Sequence, residues 1–205
     1  MISVLVPTRE RSAMFYESIK SLGDNVEILA YVDIDDPQLS GYLSIIQDNL
    51  TFVIGKRFTY HKLHEYYNKL ARLASGDWLM LWNDDAEMMT PNWTEFLHAP
   101  ISPEVINFDK NEQNNLFPII SRQMYQAMGH FSLSPHNDSW VQDIANILSI
   151  HTYIDGVNIQ HHRDIIDDST KRETQAAYET TSPLHYSDEL QRLMQIDIEK
   201  IKENL

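Results

Sequence analysis

Asn83-Asp84-Asp85 follows directly on the apolar run WLMLW at 78–82. Two adjacent carboxylates at the end of a buried segment raise each other's pKa unless a cation neutralises them. A hard divalent ion, Mn²⁺ or Mg²⁺, suits that place: it takes oxygen ligands, uses few carboxylates and completes its shell with ligand phosphates. A tight turn is the alternative, since Asn and Asp bond their own backbone in turns. Asp33, Asp35 and Asp36 form a second acidic cluster, closed by Pro37. A carboxylate there can accept hydrogen bonds from a ribose or base, or cap the helix that follows. Arg9, Arg11, Arg57 and Lys62 are cations suited to a phosphate or a base edge. A solvated side chain is the alternative, and it suits Arg11 and Lys62 better than Arg9. His161 and His162 can each complete an oxygen-rich shell as a neutral imidazole, or form a surface pair. Neighbouring strand residues face opposite ways, so only one of them serves a given site. Asp138, in His136-Asn137-Asp138-Ser139, stands before a helical pattern. It is either an N-cap or a carboxylate held where a base is needed.

The elements that must position these groups alternate in type. Short apolar runs at 2–6, 26–32, 51–54 and 78–82 read as strands. Between them lie helical patterns: one with Phe15, Ile19 and Leu22 on a single face, one over 38–49, and one with Leu63, Tyr67, Leu70 and Ala74 aligned. Such alternation predicts an α/β fold with a parallel sheet covered on both faces. Ligands of these sheets bind at the carboxyl ends of the strands. Pro7-Thr8-Arg9, the 33–36 cluster and Asn83-Asp84-Asp85 are therefore expected on one rim. The second half is less regular. It reads as a short helix over 91–97, strands over 104–108 and 117–120, helices over 122–128 and 139–148, and a last strand over 152–159. Residues 164–183 are polar without a period and read as a mobile loop. Ser187 is an N-cap, with Asp188 and Glu189 in the favoured first turn. Leu190, Met194, Ile198, Ile201 and Leu205 then form a stripe on a closing helix. Docking on the domain is the plain reading of that stripe; a homodimer contact or a membrane-surface contact is the alternative, and the polar face is not basic as the latter would want.

Thirty acidic against sixteen basic residues give a net charge of −14. That argues against unaided binding to nucleic acid. A nucleotide remains compatible, because a divalent cation bridges acidic side chains to a diphosphate. No apolar run reaches the roughly 18 residues of a membrane span. The N-terminus lacks the basic flank of a signal peptide and reads as the first strand. There is no cysteine, hence no disulfide framework and no thiolate metal site. The cytoplasm is the expected location.

Together these segments resemble a family 2-type glycosyltransferase of GT-A fold. Val4-Leu5-Val6-Pro7-Thr8-Arg9-Glu10-Arg11 is similar to the family's first strand and nucleotide loop. Asn68–Trp78 resembles the helix and glycine leading into its metal motif. Trp82-Asn83-Asp84-Asp85-Ala86, with Met89-Thr90-Pro91-Asn92-Trp93, is similar to its DXD-like motif and continuation. The resemblance implies a Rossmann-like, mixed, mostly parallel sheet flanked by helices. It implies one catalytic domain: a nucleotide-sugar half over 1–98, an acceptor half over 99–163, and a loop and terminal helix over 164–205. The implied activity is metal-dependent, inverting transfer from a nucleotide sugar, with UDP favoured, to a saccharide or other hydroxyl acceptor. Pro7, Thr8 and Arg9 would line the uridine pocket. One or more of Asp33, Asp35 and Asp36 would touch the base or ribose, and Arg57 and Asn68 would belong to the same pocket. Asp84 would face the ribose or diphosphate, and Asp85 would bind Mn²⁺ or Mg²⁺ with His161. Asp138 would be the base. The sequence departs from the family in Asn83 and in the 33–36 cluster. A nucleotidyltransferase is the alternative enzyme class, but it would normally carry a glycine-rich loop after the first strand. A non-catalytic sugar-nucleotide-binding domain is the third reading.

Overall fold

The four apolar runs of the first half form strands that lie side by side. In the computed structural model, which describes residues 1–108, 116–162, 169–180 and 186–205, they are β1 (Ile2–Thr8), β2 (Val26–Asp33), β3 (Leu50–Gly55) and β4 (Trp78–Leu81). All are parallel, in the spatial order β3-β2-β1-β4. Strands buried on both faces need cover on both sides. Val4 and Val6 pack with Phe15 and Ile19 of α1 (Ser12–Ser21). Leu5 faces the other way, toward Tyr67 and Leu70 of α3 (Leu63–Leu73).

The sheet continues from β4 through β7 (Ile119–Ser121) and β6 (Val105–Phe108) to β8 (His151–Ile154). β7 runs antiparallel to both neighbours, while β6 and β8 are parallel. The result is a mixed, mostly parallel seven-stranded α/β sheet. Both core layers draw residues from either side of position 98. α4 (Arg122–Met128) starts at Ser121, whose Oγ accepts from the Met124 N–H, and stops at Gly129 with φ 81. α5 (Asn137–Leu148) follows. α7 (Asp188–Lys202) is capped by Ser187 and packs on α4 and α5, burying Met194, Ile198 and Ile201. Leu205 stays exposed. Among the described residues no helix is long and apolar enough to cross a membrane.

Three sequence expectations are corrected. The helix over 38–49 shrinks to α2 (Leu39–Leu43), because Asn49 turns the chain back, donating to the Gly23 and Val26 carbonyls. The last strand over 152–159 is two strands, β8 and β9 (Ile159–His161), parted by a turn in which Gly156 takes φ 91. β9 pairs antiparallel with β5 (Ala86–Met88), a strand not anticipated from the sequence. The loop over 164–183 contains α6 (Ser169–Thr180); the rest of it, at 164–168 and 181–183, lies outside the described residues. Good helix formers build α6 without an apolar period, since no side chain at 171–176 is buried.

Candidate active site

The parallel register brings the carboxyl ends of β1, β2 and β4 to one edge. Pro7, Thr8, Arg9, Asp33, Arg57, Asp84, Asp85 and His161 line a single cavity of about 430 Å³ there. Asp35, Asp36, Asn68 and Asp138 are not among its lining residues.

Asp84 is held on both oxygens. Thr8 Oγ1 donates to its Oδ2 at 2.7 Å, and Arg11 Nη1 donates to its Oδ1 at 2.9 Å. The Tyr42 hydroxyl, on fully buried Tyr42 of α2, accepts the Arg11 N–H at 2.9 Å and lies 2.9 Å from Thr8 Oγ1. With the Thr8 proton spent on ionised Asp84, Tyr42 is the donor in that contact. The ring Arg11–Tyr42–Thr8–Asp84 thus closes on itself. Arg11 also reaches Asp85 Oδ2 at 3.4 Å. The expectation of a solvated Arg11 is therefore corrected: its side chain is 9% exposed and neutralises the aspartate pair. No local spacing announces this, because the contact depends on α1 packing across the end of β4.

Asp85 takes its second partner from the β5–β9 pair. Register places His161 opposite Ala86, and His161 Nε2 lies 2.8 Å from Asp85 Oδ1. His162 turns away to Glu87, at 3.3 Å, as alternation along a strand requires. The two aspartates titrate apart. Burial, opposed by Arg11 and reinforced by the Asp85 charge, pushes Asp84 up to about 6. Burial also pushes Asp85 upward, but the His161 hydrogen bond, its charge and Arg11 outweigh it, so Asp85 is lowered. Asp85 is thus the more acidic member of the pair.

One carboxylate and one imidazole fit Mn²⁺ or Mg²⁺ that leaves several positions to phosphate oxygens and water. They do not fit a closed protein cage: among the described residues no group of three His, Cys, Asp or Glu could hold a metal ion.

At the other end of the cavity, Arg9 Nη1 donates to Asp33 Oδ2 at 3.0 Å and to Asp35 Oδ1 at 2.9 Å. The Tyr66 hydroxyl donates to Asp33 Oδ1 at 2.9 Å. Burial raises the Asp33 pKa despite these partners. Asp35 is exposed and accepts from Arg9. Asp36 accepts the Glu10 and Gln38 N–H groups, while α2, with Gln38 at its N-cap, has no side-chain cap. Asn68 is likewise engaged in the fold. It donates to Ser132 O and accepts from the Phe131 and Ser132 N–H groups, tying α3 to the 131–132 segment. Asp138 sits in the first turn of α5. Burial raises the Tyr67 pKa well above its usual value, and the charges of Tyr60, Asp138, Asp84 and Asp85 add to this. Asp138 therefore lies within electrostatic reach of a side chain that lines the cavity. Cavity residues missed from sequence include Thr59, Tyr60, Tyr66, Tyr67 and Glu173, which carry no motif.

No family model matches the chain. No curated protein matches it either. Solved structures do. The chain is similar to the mannosyltransferase PcManGT from Pyrobaculum calidifontis in complex with GDP-Man and Mn²⁺ (12% identity, 97% of this chain and 69% of that chain, TM-score 0.57). It is similar to S. aureus TarS 1–349 in complex with UDP (12% identity, 98% and 81%, TM-score 0.58). It is also similar to a Bacillus anthracis protein assigned as a glucose-1-phosphate thymidylyltransferase, in complex with a sucrose (7% identity, 93% and 99%, TM-score 0.56). These likenesses establish an α/β fold of the GT-A type.

Proposed function

We propose that the chain is a family 2-type glycosyltransferase that moves a hexose from a UDP-sugar to an acceptor hydroxyl with inversion. The observation that carries this reading is the meeting of Asp85 and His161, 2.8 Å apart, in a cavity shared with the ends of β1 and β2. Fold alone does not choose between sugar transfer and nucleotidyl transfer, since proteins of both kinds share it. The loop after β1 argues for the former. Pro7-Thr8-Arg9-Glu10-Arg11 has no glycine to let the backbone wrap a triphosphate.

In this reading residues 1–98 carry the donor and 99–163 the acceptor. Asp33, oriented by Arg9 and Tyr66, accepts a hydrogen bond from the base or ribose. Asp85 and His161 hold Mn²⁺ or Mg²⁺, which when bound supplies positive charge against the diphosphate leaving group. Arg11 and Thr8 fix Asp84 beside it, at the ribose or diphosphate. Asp138 takes the proton of the acceptor hydroxyl as the new glycosidic C–O bond forms and the sugar–diphosphate bond breaks. The acceptor is a saccharide or another hydroxyl compound.

A panel of UDP-sugars, with Mn²⁺ and with EDTA, tests the reading through UDP release. One sugar nucleotide should be turned over, and EDTA should abolish the turnover. Pyrophosphate release from a nucleoside triphosphate and a sugar phosphate, with every UDP-sugar left intact, would overturn it. Asp138→Asn should lower transfer by about 100-fold or more while UDP still binds; unchanged transfer by a folded variant would remove Asp138 from its role.

A further inference from the structure

The cations lining the cavity differ in what neutralises them. Arg9 and Arg11 pair with carboxylates at the strand ends, Asp33 with Asp35 and Asp84 with Asp85. Arg57, just past β3, pairs instead with Glu173 of α6, its Nη2 on Glu173 Oε1. The other oxygen, Oε2, accepts the Tyr60 N–H at 3.4 Å. Arg57 Nε, in contrast, is buried with no hydrogen-bond partner among the described residues. A guanidinium presents its donors as a fork that suits a bidentate oxyanion. Here a carboxylate uses one prong and a neighbouring amide, and leaves the second prong bare. A phosphate group has the extra oxygen that would satisfy all three donors.

The backbone around this point is built with care. The Tyr31 hydroxyl donates to Lys56 O, and the Phe58 N–H donates to the Tyr66 hydroxyl. Thr59, which lines the cavity, takes φ 66. A β-branched residue in that region is strained, and such strain gathers where a ligand is bound. α6 packs on the turn at Tyr60–Lys62, and none of its described side chains is buried.

We propose that Arg57 and the Tyr60 amide form a phosphate subsite that Glu173 occupies in the ligand-free molecule, so that α6 is an internal competitor which an incoming phosphate ligand displaces.

Inorganic pyrophosphate, titrated calorimetrically in EDTA to exclude metal effects, probes the subsite without any nucleoside. Glu173→Gln should bind it more tightly than the unaltered chain by about three- to fivefold, the change that loss of a part-exposed ion pair corresponds to. Adding Arg57→Ala should abolish that gain. In the unaltered chain, saturating pyrophosphate should speed amide hydrogen exchange across 169–180. Equal affinities of the unaltered chain and Glu173→Gln, no binding to Glu173→Gln, or unchanged exchange in α6 would each overturn the proposal. None of these results depends on UDP-sugar turnover, so failure here leaves the donor reading standing, and failure of the donor reading leaves these measurements interpretable.

Discussion

The last two helices of the chain are of similar length and are attached by opposite means. α7 docks through Met194, Ile198 and Ile201, all buried against α4 and α5. α6 shows no buried side chain at 171–176, packs on the Tyr60–Lys62 turn, and sets Glu173 against Arg57 at the cavity. Apolar burial is proportional to area and changes little with ligand or salt. A part-exposed ion pair is worth little and is open to competition. One helix therefore belongs to the scaffold and the other to the site.

The comparison breaks most readily at α7. Ile201→Ala should cost about 2–4 kcal/mol, because it deletes fully buried methyl groups. Urea unfolding reads this directly, and a loss below about 1 kcal/mol would mean that α7 is no more anchored than α6.

A second test sharpens what separates site from scaffold. Asp84 is a buried charge at the cavity, and its pKa is pushed from 3.8 up to about 6. A carboxyl raised on folding favours the folded state in its neutral form. That benefit is complete below pH 3.8 and is lost as pH rises through about 6. Asp84→Asn should therefore stabilise the protein at pH 7, by roughly 1–3 kcal/mol, with the gain fading toward pH 4. A destabilised variant at pH 7 would show that the ring with Arg11, Thr8 and Tyr42 outweighs burial.

The smallest effect is expected at α6. Glu173→Gln should shift global stability by no more than about 1 kcal/mol. A larger thermal shift would place α6 with the scaffold.

The same contrast explains what the sequence discloses. The stripe of α7 and its Ser187 cap are legible, because an apolar face writes a period into the chain. The parallel half is legible for the same reason, and its strand ends meet on one rim as the fold rule requires. α6 writes no apolar period, and no side chain at 171–176 is buried. The short β5 and β9 are also silent, yet their pairing is what carries His161 to Asp85. Arg11 illustrates the limit within the site. Its neighbour Arg9 and its partners Asp84 and Asp85 are all visible, but which cation faces which carboxylate is decided by α1 and by Tyr42, 31 positions along the chain. Asp35, Asp36 and Asn68 show the converse: polar residues in a motif-like setting that do not line the cavity and are engaged by other groups of the chain.

Under the proposed function Asp85 joins metal and diphosphate, and electron paramagnetic resonance of Mn²⁺ measures that directly. Titrating the protein into Mn²⁺ with UDP should deplete the free-ion signal, and Asp85→Asn, folded by circular dichroism, should leave it at the level of Mn²⁺ and UDP alone. Equal depletion by the variant and the unaltered chain would contradict the assignment.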